Sequence, residues 1–140
     1  MNRGMIAAGP GLDEYETPKW LFDALDAEFA FTHDGAASET NTRCRSYSDA
    51  SHTIGLHWAD QAVFCNPPYS NIEPFVTAAL ARKAQLSVLL LPVRTDSDWF
   101  HRLVHAPRVE LRWLRKRIRF CLDGKSQDSP RFTSFLAIVR

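Results

Sequence analysis

Asn66-Pro67-Pro68-Tyr69 directly follows the apolar run Ala62-Val63-Phe64-Cys65 and precedes Ser70, and no other stretch of the chain is so well suited to chemistry. Two consecutive prolines fix φ near about −65° and remove two backbone donors, so the carbonyls of the loop are aimed outward rather than consumed in a strand ladder. Asn66 adds an amide oxygen and Tyr69 a flat ring. A loop built this way accepts both hydrogens of a planar exocyclic amine while the ring stacks on the heterocycle that bears it. Methylation of a nucleobase amine makes that demand.

Such a loop needs a buried strand behind it and a second loop beside it. The run 62–66 supplies the strand, and a helix over 72–84 carrying Phe75, Val76, Ala79 and Leu80 follows. The run 86–91 is almost continuously apolar, as a strand covered on both faces is. Strand, helix, strand in close succession predicts a parallel right-handed crossover. Upstream, Trp20, Leu21, Leu25 and Phe29 recur at helical spacing over 18–28, with Thr17 placed as N-cap and Pro18 at the first helical position. Residues 29–33 have the composition of a short strand ending at Asp34, with Gly35-Ala36-Ala37-Ser38 as its exit loop. Ligands of open α/β sheets sit beyond the carboxyl ends of strands, so the loops after Asp34 and Cys65 are expected to meet.

The remaining elements are less sharply marked. Residues 1–14, with Gly4, Gly9, Pro10 and Gly11, read as a flexible lead-in. From 39 to 60 the chain is polar, anchored by Ile54, Leu56 and Trp58, and predicts loops with short helical turns. A helix over 96–105 and strands over 109–114, 118–121 and 132–139 follow, the last two suiting an antiparallel hairpin around Asp123-Gly124-Lys125-Ser126. The expected fold is α/β, a mostly parallel sheet of five or six strands with an antiparallel C-terminal hairpin, formed by residues 15–140 as a single domain.

Composition bounds the partners. With 45% hydrophobic and 24% charged residues the chain reads as an ordinary soluble globular protein, and its 140 residues leave no room for a separate target-reading domain. No apolar stretch approaches the ~18 residues of a membrane span and no signal-peptide core is present, so a cytoplasmic protein without membrane contacts is expected. Cys44, Cys65 and Cys121 are odd in number and widely spaced, as packing thiols rather than a disulfide or zinc framework would be. His101 and His105 have the spacing of a metal pair but lack a third ligand, and no metal is expected. The net charge of +1 conceals a split: residues 1–93 hold 6 Lys and Arg against 11 Asp and Glu, residues 94–140 hold 11 against 5. Arg112, Arg115, Lys116, Arg117 and Arg119 crowd together in the basic part. They suit phosphate contacts, or a solvated strand edge.

The segments ETPKWLFDALDAEF, FTHDGAAS, FCNPPYS with the preceding Trp58 region, RTDSDWF and RIRF stand in this order over most of the chain from Glu16 to Arg140. Together they resemble the S-adenosylmethionine-dependent DNA adenine-N6 methyltransferases, most closely the compact phage-type Dam family. The resemblance implies a reduced Rossmann-like methyltransferase sheet in a phage or prophage protein working in a bacterial host, as a monomer or homodimer on DNA. It implies a catalytic loop of Asn66, Pro67, Pro68 and Tyr69, with a flipped adenine stacked on Tyr69 and its amine donating to the Asn66 oxygen and the Pro67 carbonyl. It further implies cofactor contacts at Thr17, Pro18, Asp34, Gly35, Ala36 and Asn66. Thr17 and Pro18 suit helix capping equally well, and Asp34 could cap a following helix.

Two departures accompany the resemblance. The usual glycine-rich loop is replaced by Gly35-Ala36-Ala37-Ser38, and the interval from Asp34 to Asn66 is too short for the full set of intervening elements. The acidic residue that holds the ribose in the wider methyltransferase fold has no assigned counterpart; Glu39 and Asp49 are candidates only. Methylation of a protein glutamine amide, and a non-catalytic DNA-binding relative, are the alternative readings.

Overall fold

The computed structural model describes residues 13, 15–37, 41–48 and 54–140, so the candidate ribose residues Glu39 and Asp49, Ser38 and nearly all of the proposed lead-in lie outside the described residues. The chain runs α1 (Lys19–Phe29), β1 (His33–Asp34), β2 (Ser46–Tyr47), β3 (Ala62–Cys65), α2 (Glu73–Leu80), β4 (Leu86–Pro92), α3 (Asp98–Val104), β5 (Val109–Trp113), β6 (Cys121–Leu122), β7 (Lys125–Ser126) and β8 (Ser134–Val139). One six-stranded sheet has the order β2-β1-β3-β4-β8-β5, and β6 and β7 form a separate antiparallel hairpin. Four strands, β2, β1, β3 and β4, are parallel, and β8 runs antiparallel to both of its neighbours. This is the mixed, mostly parallel α/β architecture expected of a Rossmann-like methyltransferase. Among the described residues no helix is long and apolar enough to cross a membrane.

The core is built on the central strands. β3, β8 and all but the first residue of β4 are buried throughout, which is why their sequences run apolar without alternation. α1 turns Leu21, Phe22 and Leu25 inward, with Phe22 edge-on to Phe64 of β3 at 5.3 Å. Each such buried side chain contributes about 1.5–3 kcal/mol. Phe100 of α3 packs edge-on against Phe135 of β8 at 5.5 Å.

Several boundaries differ from the expected ones, each for a local reason. Pro18 is the N-cap of α1 rather than its first helical residue; its carbonyl receives the Leu21 and Phe22 N–H groups, and no side chain caps the helix. The strand expected over 29–33 shrinks to His33–Asp34, because Ala30 closes α1 in the left-handed conformation at φ 52° and the Phe31 N–H then bonds to the Asp26 carboxylate. A strand absent from the sequence reading, β2, pairs with β1 in the segment read as loops. α2 stops at Leu80, ahead of Arg82 at φ 56°. The C-terminal hairpin pairs Cys121–Leu122 with Lys125–Ser126, whereas the apolar strand β8 inserts between β4 and β5. A strand with six buried residues needs a neighbour on each side, and residues 118–121 provide none.

Candidate active site

The chain leaves β1 toward β2 on one side and leaves β3 toward β4 on the other, so the order reverses between β1 and β3. That reversal opens a crevice at the carboxyl ends of the two strands. His33 pairs with Val63 and Asp34 with Phe64, and the Gly35 N–H bonds to the Phe64 carbonyl at 2.7 Å. The exit loops of Asp34 and Cys65 therefore stand side by side. Thr17, Asp34, Ala36 and Asn66 all line the cleft between them, together with Asp13, Glu16 and Arg43.

Two residues grouped with these in the sequence face elsewhere. Pro18 lines a different groove, beside Arg115 and Lys116. Gly35 is bare on behalf of the core: a Cβ there would stand 2.6 Å from Trp58 Cζ2 and 3.0 Å from Val63 Cγ1. Gly35→Ala is expected to cost about 1–3 kcal/mol through overpacking, read as a fall in Tm of several degrees in a thermal melt.

Asp34 is 4% exposed. Its Oδ2 accepts the Arg43 N–H at 3.1 Å and its Oδ1 the Ala36 N–H at 3.4 Å. Burial pushes its pKa above the ordinary carboxylate value, and those two donors and the charge of Arg43 only partly oppose the rise. Arg43, which sequence reasoning missed, also donates from Nη2 to the Thr17 carbonyl at 2.8 Å, tying the start of α1 to the exit loop of β1. Its only sequence signal is its place as a cation nine residues beyond Asp34 in an acidic half of the chain. Behind Asp34, His33 is buried between the Ser46 and Ser48 hydroxyls, and burial lowers its pKa. Burial raises the Cys65 thiol, and burial with the nearby Asp34 and Asp26 carboxylates raises Cys44 to about 12, so neither is a nucleophile at neutral pH.

The loop of Asn66 to Tyr69 is held from several directions. Asn66 Nδ2 donates to the Tyr15 carbonyl at 3.3 Å, which orients the amide and leaves Oδ1 as an acceptor. The Pro68 carbonyl is used by the Asn71 N–H at 3.0 Å, while among the described residues the Pro67 carbonyl accepts nothing. Asp13 receives the backbone N–H of Ser70 at 2.9 Å and its hydroxyl at 2.5 Å. Tyr15 stacks on Phe120 at 6.1 Å, and Glu16 forms an antiparallel bridge with Cys121, so Asp13 and residues 15–17 strap the loop to the basic C-terminal part.

Tyr69 is 6% exposed, with Phe120 and Phe132 edge-on at 6.1 and 5.5 Å. Burial raises its pKa, with the Ser134 hydroxyl and the charge of Arg94 opposing. Arg94 donates to the Tyr69 carbonyl at 3.0 Å and lays its guanidinium 5.6 Å from the ring centroid. Arg94 was missed as a site residue although it opens the RTDSDWF segment. Of the five cations grouped as a phosphate surface, Arg112 stands apart: Glu28 and Glu110 hold it at 2.6 Å each, whereas Arg115, Lys116, Arg117 and Arg119 have no ion pair among the described residues.

The model of the family DNA N-6-adenine-methyltransferase (Dam) matches residues 8–139. The chain belongs to the Dam family. A DNA N-6-adenine-methyltransferase of Haemophilus phage HP1 (strain HP1c1) is 30% identical over 123 residues, covering 84% of this chain and 71% of that protein. A DNA N-6-adenine-methyltransferase of Escherichia phage T1 is 27% identical over 117 residues, covering 80% of this chain and 49% of that protein, so the chain spans about half the length of this second relative. As a Dam-family member the chain is a methyltransferase of phage type. The matched range takes in the strap, the Asp34 cleft, the Asn66–Tyr69 loop and the basic segment.

Proposed function

We propose that this chain transfers a methyl group from S-adenosylmethionine to the N6 amino group of adenine in DNA, with the base turned out of the duplex to meet Asn66-Pro67-Pro68-Tyr69. The observation that carries the reading is the fixed Asn66 amide, whose nitrogen is tied to Tyr15 so that its oxygen, with the uncommitted Pro67 carbonyl, presents two acceptors. An adenine amine offers two donors in one plane. Family membership supplies the reaction class, and the charge split supplies the polyanion.

The residues of the cleft fit the cofactor. Asp13, Glu16, Asp34 and Arg43 line the cleft, and the buried Asp34 carboxylate, only partly compensated by its donors, suits a cationic group of the ligand. Asp34 and Thr17 would hold the amino acid end, and Arg43 would face its carboxylate. S-adenosylmethionine, when bound, supplies a methyl group on a sulfonium sulfur that is ready for nucleophilic attack.

The chain's own residues do the rest. Asn66 Oδ1 and the Pro67 carbonyl bind the amine hydrogens, draw the nitrogen toward a tetrahedral geometry and stabilise the positive charge that develops on it. Both acceptors are preorganised, so no reorganisation is required at the moment of transfer. A general base is unnecessary, because the amine loses its proton after it has become cationic. Tyr69 would provide the stacking ring, with the base taking the place of the Arg94 guanidinium that lies 5.6 Å from the ring centroid. Extrusion costs a few kcal/mol, which stacking and phosphate contacts offset.

Incubation with labelled S-adenosylmethionine and, separately, duplex DNA, RNA and protein acceptors tests the proposal: label in N6-methyladenine of DNA is expected, and label in protein alone overturns it. Arg115→Ala with Lys116→Ala is expected to weaken DNA binding and lower the salt slope of log K by about 2. Arg112→Ala, removing a cation already paired with Glu28 and Glu110, is expected to leave the slope nearly unchanged. Titrations across a range of salt concentrations separate the two.

A further inference from the structure

Trp20 is 64% exposed in the first turn of α1. It forms one wall of a groove whose other wall is the segment 115–119, and Lys19 and Pro18 complete the near side. Among the described residues no carboxylate lines this groove, and only Lys19 of its cations has an ion pair, with Asp23 at 2.5 Å. The groove adjoins the catalytic cleft: Thr17 lines the cleft and Pro18 the groove, and the Glu16–Cys121 bridge forms the rib between them.

Cations on one wall and an indole on the other match the two halves of a nucleotide, phosphate and base face. An intact duplex satisfies only the cations, because its base faces are stacked on one another. An indole gains a partner where a base has left the stack, and turning out an adenine creates such bases on both strands. An acidic peptide would satisfy the cations and leave Trp20 without a role. We infer that this groove receives an unstacked nucleotide beside the methylated one, with Trp20 stacking on its base and Arg115, Lys116, Arg117 and Arg119 holding its phosphates. The inference rests on the DNA reading above and names a second point of grip for the same substrate.

The test uses the full chain and three oligonucleotide probes of one sequence: single strand, intact duplex, and duplex with one unpaired base. Tryptophan fluorescence is expected to be quenched by the single strand and the unpaired-base duplex, and the quench to vanish in Trp20→Leu, whose exposed position leaves folding intact. The same variant is expected to lose roughly tenfold in affinity for the unpaired-base duplex and little for the intact one. Equal loss on both duplexes, loss on neither, or displacement of the bound oligonucleotide by an equimolar acidic peptide overturns the inference. Methyl transfer to DNA is scored separately: transfer without a Trp20-dependent preference sinks the groove alone, whereas the preference without transfer sinks the proposed activity alone.

Discussion

Asn66→Ala is expected to lower the rate of methyl transfer by about 10²–10³, the usual effect of removing one preorganised group that stabilises transition-state charge. The substitution deletes the Oδ1 acceptor and leaves the Pro67 carbonyl in place, so one of the two contacts to the amine survives. It also frees the Tyr15 carbonyl, which lies on the half-buried strap and can turn to solvent. Stability should change little, and affinity for S-adenosylmethionine should fall far less than the rate. Asn66→Asp separates acceptor from orientation, because it keeps an oxygen toward the amine but sets a carboxylate oxygen against the Tyr15 carbonyl. Intermediate activity is expected from it. Single-turnover methylation of an adenine-containing duplex reads both variants, and a rate unchanged in Asn66→Ala would place the acceptor chemistry outside this loop.

The pieces that the sequence made legible are those whose physics is local. A continuous apolar run marks a strand with neighbours on both sides, and residues 62–65 and 86–92 are such strands. Proline pairs constrain the backbone wherever they occur, so the loop of Asn66 to Tyr69 at the end of β3 could be placed directly. What escaped depends on partners far along the chain. Residues 29–31 look like strand residues by composition, but the N–H groups of Ala30 and Phe31 are taken by Asp26, which closes a helix instead. Residues 134–139 were paired with the preceding segment, although a run this apolar already signals a central strand. Gly35 was read as a cofactor contact, and the sequence held no sign that the space beside its Cα is filled by the indole of Trp58. Arg43 and Arg94 acquire roles only through carbonyls that the fold brings to them, Thr17 for one and Tyr69 for the other. Arg112 looked equivalent to its basic neighbours until the fold set Glu28 and Glu110 beside it.

Asp34→Asn should separate stability from cofactor affinity. A folded-state pKa above the unfolded value means that the fold favours the neutral carboxyl, so the carboxylate form costs stability. That cost is absent below the unfolded pKa, grows as pH rises toward the folded pKa, and is fully present above it. Asparagine removes the buried charge while keeping an acceptor for the Arg43 N–H, and gives up the longer contact to the Ala36 N–H. Tm at pH 7 is therefore expected to hold steady or rise. A buried carboxylate that the protein only partly compensates is stabilised when a cationic ligand arrives, and the amino acid end of S-adenosylmethionine carries such a charge. Affinity measured by calorimetry should fall by roughly 10- to 100-fold in the variant, the scale of one charge-assisted hydrogen bond. In the unsubstituted chain affinity should climb with pH while Asp34 ionises and level off above its folded pKa. The variant should lose the part of that climb due to Asp34. A variant that binds S-adenosylmethionine as tightly as the parent, with the same pH profile, would remove Asp34 from the cofactor site and leave its burial a matter of packing.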